Sequence, residues 1–116
     1  MTRHAVVLNG ARADFSEIKK YVKKQFGDVV WAEVNLEFKA TIQRITANPL
    51  LGTRLEELGA LGYDNFRQTF VRQTRVVYEF DHQVLIVHLF VHTKRDFKTH
   101  LENRLLAPIF PSKPAP

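Results

Sequence analysis

The sequence contains no cysteine, which excludes a disulfide framework and thiolate metal sites and fits a reducing compartment. Proline is missing from the first 48 residues, and four of the five prolines (Pro108, Pro111, Pro114 and Pro116) crowd into the last ten. Regular structure is therefore open to most of the chain and closed to its end. Long hydrophobic runs are also missing. After Met1-Thr2-Arg3-His4 only Ala5 to Leu8 are apolar before Asn9-Gly10, too few for a signal-peptide core or a membrane span. The expectation is a cytoplasmic protein with no membrane partner. Acid is scarce as well: 12 Asp and Glu against 17 Lys and Arg leave a net charge of +5, and the sequence pI is about 9.7. Such an excess aids solubility, and it also fits an anionic partner, either nucleic acid or an acidic protein. The basic residues cluster, Lys19, Lys20, Lys23 and Lys24 in one stretch and Lys94, Arg95 and Lys98 in another.

What is present is enough for one hydrophobic core. The 116 residues, 45% of them apolar, match a single domain, since independent domains run to about 100–150 residues. Residues 1–106 carry no repeat and no linker and are taken as that domain, with 107–116 as a Pro-rich tail.

Periodicity orders the elements. His4 to Leu8 reads as a first strand closed by an Asn9-Gly10 turn. Phe15, Ile18, Val22 and Phe26 then recur at three and four residues, which predicts an amphipathic helix over Ala11 to Phe26 ended by Gly27. Trp31, Val34, Phe38, Ile42 and Ile45 mark a second helix, from about Val29 to Ala47, stopped by Asn48-Pro49. With only Gly27-Asp28 between them, the two helices must form an antiparallel hairpin. Residues 50–64 hold no sustained period and read as a loop with at most one helical turn. Three strands follow, Asn65–Val71, Thr74–Asp81 and Gln83–His92, joined by links short enough to force an antiparallel meander.

In the last strand, strict alternation sends Leu85, Val87, Leu89 and Val91 under the hairpin and Ile86, His88, Phe90 and His92 to the opposite face. That second face is half apolar, so either a partner covers it or the C-terminal helix folds back over it. The helix itself, from Lys94 to Leu106, is launched by Thr93 and Asp96 as a capping box. The fold class is thus α+β: a short N-terminal strand, a helical hairpin on a small antiparallel sheet, and a C-terminal helix.

Two stretches resemble the RelE/ParE superfamily of bacterial toxins. Ala11-Arg-Ala-Asp14-Phe15-Ser-Glu-Ile18-Lys-Lys-Tyr21, ending at Gly27, is similar to the first helix of these toxins. Phe66-Arg67, then Arg75-Val-Val-Tyr78-Glu-Phe, then Val84 to His92 are similar to the arginine-bearing strand, the Arg-x-x-Tyr strand and the final strand ending in histidine. The resemblance covers residues 5–106. The pattern His92-x-x-x-Asp96-x-x-x-x-Leu101-x-x-Arg104-Leu105 resembles the ParE branch, whose members extend the last strand into such a helix.

The resemblance implies the toxin of a type II toxin–antitoxin pair, neutralised by a cognate antitoxin and reaching operator DNA only through it. The ParE branch implies poisoning of DNA gyrase without catalysis. The RelE branch implies ribosome-dependent cleavage of messenger RNA, and an inert relative that keeps only antitoxin binding is a third reading.

Each reading has its residues. For a ribonuclease, Arg67 and Arg75 would grip the scissile phosphate, because the planar guanidinium meets phosphate oxygens two at a time. His92 would move the proton. The structural alternatives are an Arg75–Glu79 ion pair across the sheet and a His92 hydrogen bond to the following turn. The chain offers no lysine-crowded loop like that of RelE, which weighs against the enzyme. For target binding, Lys94, Arg95, Lys98 and Arg104 project from the branch-specific helix. For the antitoxin, Ile86, His88 and Phe90 offer a shared surface, with Phe90 expected to lose the most solvent exposure. Tyr78 falls within a core alternation and is expected to pack, and the first-helix lysines to be solvated. His88 has no visible third ligand, so neither metal nor other cofactor is expected.

Overall fold

The computed structural model describes residues 3–60, 62 and 65–92. They form strand β1 (His4–Val7), helix α1 (Asn9–Ala47), a 3-10 turn (Pro49–Leu51), strand β2 (Thr53–Arg54), a short helix α2 (Glu56–Gly59), and strands β3 (Phe66–Val71), β4 (Thr74–Phe80) and β5 (Val84–His92). The class is α+β, as the patterning indicates. The five strands make one sheet in the order β1-β5-β4-β3-β2. β1 runs parallel to β5, and the other pairs are antiparallel. The C-terminal helix expected over Lys94 to Leu106 and the tail over 107–116 lie outside the described residues.

α1 is two helical arms broken at Gly27, whose φ of 90° and ψ of 175° fall in a region that only glycine enters readily. The arms fold back on each other. Phe15 in the first arm stands 5.3 Å from Trp31 and 5.2 Å from Phe38 in the second, ring centre to ring centre. The helical hairpin is therefore as expected, but its start is not. The Arg12 N–H donates to the Leu8 carbonyl at 2.9 Å, so Asn9-Gly10 form the first helical turn rather than a separate bend. Leu8 is held to the sheet by its own N–H on the Val87 carbonyl, and extended backbone at that residue lets the chain pass straight from strand to helix.

The hairpin lays Ala11, Trp31, Val34, Phe38 and Ile45 onto Val71, Val76, Tyr78, Leu85, Val87 and Phe90 of the sheet. Phe15, Phe38 and Phe90 meet as a three-ring cluster with centroids 5.2–5.5 Å apart; Phe38 meets both neighbours edge to face, a favoured geometry for aromatic pairs, and Phe15 and Phe90 are tilted.

The alternation expected along β5 holds for only half the strand. Val77 pairs with Leu89 while Tyr78 pairs with Val87, so His88 is an extra residue, a β-bulge. A bulge reverses the side assignments beyond it. Leu85, Val87 and Phe90 face the hairpin. Leu89 and Val91 instead join Leu55, Leu58, Phe66 and Val77 in a second core on the far face. Phe90, expected on an open face, is 3% exposed beneath the hairpin. The far face is not left bare either, because the segment expected to be a loop supplies β2, α2 and the covering side chains Leu55 and Leu58. Elements of two to four residues are too short to show a period, which is why that cover was not visible in the sequence.

Both meander links are tight without glycine. Arg72 adopts φ 53°, and its Nε and Nη2 donate to the Glu37 carboxylate at 3.0 and 2.7 Å, tying the turn to the hairpin. The same hydrogen bonding holds the Glu37 carboxyl below its ordinary value. At the other link, Asp81 accepts the N–H groups of Gln83 and Val84 at 2.7 and 2.8 Å, which holds its carboxyl below the usual range.

Candidate functional site

Tyr78 does more than pack. Its hydroxyl donates to the Pro49 carbonyl at 2.5 Å and accepts the Gly52 N–H at 3.1 Å. Burial raises its pKa above the ordinary 10.0, partly offset by the Gly52 hydrogen bond and the charge of Arg67. Arg67, paired with Tyr78 across the strands, donates from Nη1 to the Gly52 carbonyl at 2.7 Å. Both side chains thus fasten the 49–52 turn to the hairpin side of the sheet.

Arg75 stands on the far face, next to Val77 and Phe70. It donates from Nη1 to Gln68 Oε1 at 2.8 Å, and its guanidinium carbon lies 5.7 Å from the Phe70 ring centre. The Glu79 carboxylate considered as its partner is instead 2.7 Å from His88 Nε2. The His88 ring in turn lies 4.9 Å from that of Phe66. The bulge thus turns His88 into the far-face pairing, away from Phe90. Among the described residues no group of three His, Asp or Glu is placed to hold a metal ion.

His92 ends β5 opposite Thr74, on the hairpin side. Arg67 sits opposite Tyr78, four residues further along β4, or about 13 Å away at the strand rise alone. Arg75 is on the other face. The three residues considered for phosphate gripping and proton transfer are therefore not brought together, and the two arginines are engaged in fastening the sheet. Ile86, His88 and Phe90 do not form one surface either, since Phe90 is on the opposite side from the other two. Lys94, Arg95, Lys98 and Arg104 lie outside the described residues.

What the structure does assemble is a groove of about 760 Å³ under the far end of the hairpin. Its apolar walls are Ile18, Val22, Val30, Val34, Phe38 and Phe90, and it opens beside the Arg72–Thr74 turn and His92. At its mouth Tyr21 and Phe26 are 57% and 60% exposed and touch edge to face at 6.4 Å. Asp14 and Glu17 also line it. The Asp14 carboxylate accepts the Phe90 N–H at 3.1 Å, satisfying β5 where β1 no longer pairs with it. The three-and-four spacing gives the helical stripe wholly to covering the sheet, so spacing alone does not point to the groove. The signal available was Tyr21, an aromatic on the stripe's edge among lysines.

Among the described residues, apolar side chains gather around one groove, and Arg67, Arg75 and His92 stand apart from one another. Comparison with known proteins agrees with this architecture. The sequence profile of the family described as "ParE toxin of type II toxin-antitoxin system, parDE" matches residues 6–97. No curated protein matches the sequence. A chain of the solved structure titled "Chromosomal ParDE TA system from P. aeruginosa" superimposes with a TM-score of 0.65 at 10% identity, covering 81% of this chain and 98% of that one. At that identity the likeness concerns the fold alone.

Proposed function

The chain belongs to the ParE toxin family of type II toxin–antitoxin systems, and from that premise we propose that it arrests growth by binding and poisoning DNA gyrase, without catalysis of its own. The observation that carries the choice of binding over cleavage is the separation of Arg67, Arg75 and His92 across two faces and two ends of the sheet. General acid–base cleavage of RNA needs a phosphate grip and a proton-transfer group within hydrogen-bond reach of one substrate. Here Arg67 and Arg75 hold a turn and a glutamine.

In this reading Lys94, Arg95, Lys98 and Arg104, on the segment after β5, contact the target. A cognate antitoxin neutralises the toxin, drawn by the net charge of +5 if its own binding segment is acidic. The toxin acts in the cytoplasm and meets operator DNA only through that antitoxin. No helix among the described residues is long and apolar enough to cross a membrane.

The experiment sets two assays side by side with the purified chain. Gyrase supercoiling is inhibited at micromolar toxin, and ribosome-bound message stays intact. Cleaved message with unaffected supercoiling would replace this proposal with the ribonuclease, and loss of that cleavage in Arg75→Ala and His92→Ala would then identify its residues.

A further inference from the structure

The first arm of α1 is two-sided. Its two acids, Asp14 and Glu17, line the groove. Away from the groove, Arg12, Ser16, Lys19 and Lys23 follow at four, three and four residues, which sets them in one row along the helix. Lys20 and Lys24, four apart, form a second row beside it. All six are exposed, and the stretch from Arg12 to Lys24 spans about 18 Å of helix axis. Glu17 marks the margin of this face, and Phe26, beyond its end, is turned to the Tyr21 ring at the groove mouth. The face itself carries no apolar side chain larger than that of Ala13.

The lysines of this face are not used by the fold. Arg3, Arg67 and Arg72 hold backbone carbonyls or the Glu37 carboxylate, but among the described residues no carboxylate pairs with Lys19, Lys20 or Lys24. Lys23 meets the exposed Asp28 at 3.6 Å, a surface pair worth little that a phosphate can displace. Such a face suits a polyanion better than a protein. Protein interfaces are built round an apolar core in which lysine is scarce, whereas DNA interfaces are polar and positively charged. Duplex DNA carries one negative charge per about 3.4 Å of each strand. An arm of about 18 Å therefore spans about five phosphates of one strand, the same number as the cations it presents.

We propose that this basic face of α1 is a contact surface for the phosphate backbone of duplex DNA, so that a toxin seated on gyrase also grips the DNA that gyrase holds. Lysine ammonium groups act as point charges on the phosphates, and the Ser16 hydroxyl is a further donor to them. The choice of DNA as the polyanion rests on the gyrase reading. Backbone contacts position a protein and carry no sequence information, so selection of an operator stays with the antitoxin.

The test is fluorescence anisotropy of a short labelled duplex of mixed sequence, titrated with the full chain in the absence of gyrase. Five phosphate contacts give a slope of about −4.5 for log affinity against log salt, a loss of about 500-fold between 50 and 200 mM. Lys19→Gln with Lys23→Gln makes the slope shallower by about 2 and leaves the circular dichroism spectrum unchanged. Arg44→Gln with Lys113→Gln removes the same charge elsewhere, since Arg44 lies 17 residues beyond Gly27, about 25 Å down the second arm. This control pair leaves the slope as it was. Absence of binding at 50 mM salt overturns the proposal, as does an equal effect of the two variant pairs, which would reduce the binding to net charge alone. So does displacement of the duplex by poly-glutamate at matched charge, which would give the face to an acidic protein. Tighter binding of single-stranded RNA than of duplex would give it to RNA and overturn the proposal too. A failure here leaves the gyrase assay unaffected, and a chain that binds duplex but spares gyrase fails only the gyrase reading.

Discussion

Tyr78 and Gly52 depend on each other. A Cβ at position 52 would stand 2.3 Å from the Tyr78 hydroxyl and 2.6 Å from the Gln68 carbonyl. The turn therefore tolerates nothing larger than glycine. Gly52→Ala is expected to lower unfolding free energy in urea by about 1–3 kcal/mol, the usual cost of overpacking. Tyr78→Phe leaves the buried Gly52 N–H and Pro49 carbonyl without their partner, for a loss of about 1–3 kcal/mol. The tyrosine also sets an alkaline limit. Its folded pKa is raised by burial, so its contribution is complete below the unfolded value of about 10 and is lost as pH rises through the folded one. Stability curves of the wild type and Tyr78→Phe should therefore converge above pH 10. Gly27 is a separate case. Nothing lies within 4 Å of a Cβ there, so the expected loss for Gly27→Ala, about 1–3 kcal/mol, comes from backbone conformation alone. At this scale the sequence was partly legible. Gly27 was identified as a helix end, whereas Gly52 looked like any loop glycine, because the residue it must accommodate is 26 positions away.

At the scale of elements, the hairpin and the three-stranded meander could be read because each repeats a period over enough residues to be recognised. The bulge at His88 could not, since alternation is unbroken in the sequence and the register shift is set by the partner strand. That one residue redirects Phe90 into the hairpin core and leaves Ile86 and His88 on the far face, which is why the surface expected from those three residues does not exist as a unit. The edge of β5 beyond the bulge is held by Asp14 in place of a strand. Asp14→Ala should raise the hydrogen-exchange rate of the Phe90 amide by about tenfold, equivalent to a charge-assisted hydrogen bond of about 1.5 kcal/mol. Amides in the β3–β4 ladder should be unaffected. Equal acceleration throughout the sheet would mean that Asp14 supports the whole fold and not this edge.

For the whole molecule, the stretches Ala11 to Gly27, Phe66-Arg67, Arg75 to Phe80 and Val84 to His92 carry the resemblance to the toxin family, and the fold and the family match agree with it. Candidate residues fared differently. Spacing placed Arg67, Arg75 and His92 on neighbouring strands but could not report which face or which end each would occupy, and catalysis depends on both. The function proposed for this chain is to stop growth by binding gyrase rather than by cutting RNA. The most direct measurement is the yield of gyrase–DNA cleavage complexes when purified toxin is added to gyrase and supercoiled plasmid. With gyrase as the target, linear DNA, released from trapped complexes by denaturant and protease, rises with toxin at micromolar concentrations and returns to baseline when cognate antitoxin is added first. Linear DNA that stays at baseline, with supercoiling proceeding at its normal rate, would contradict it.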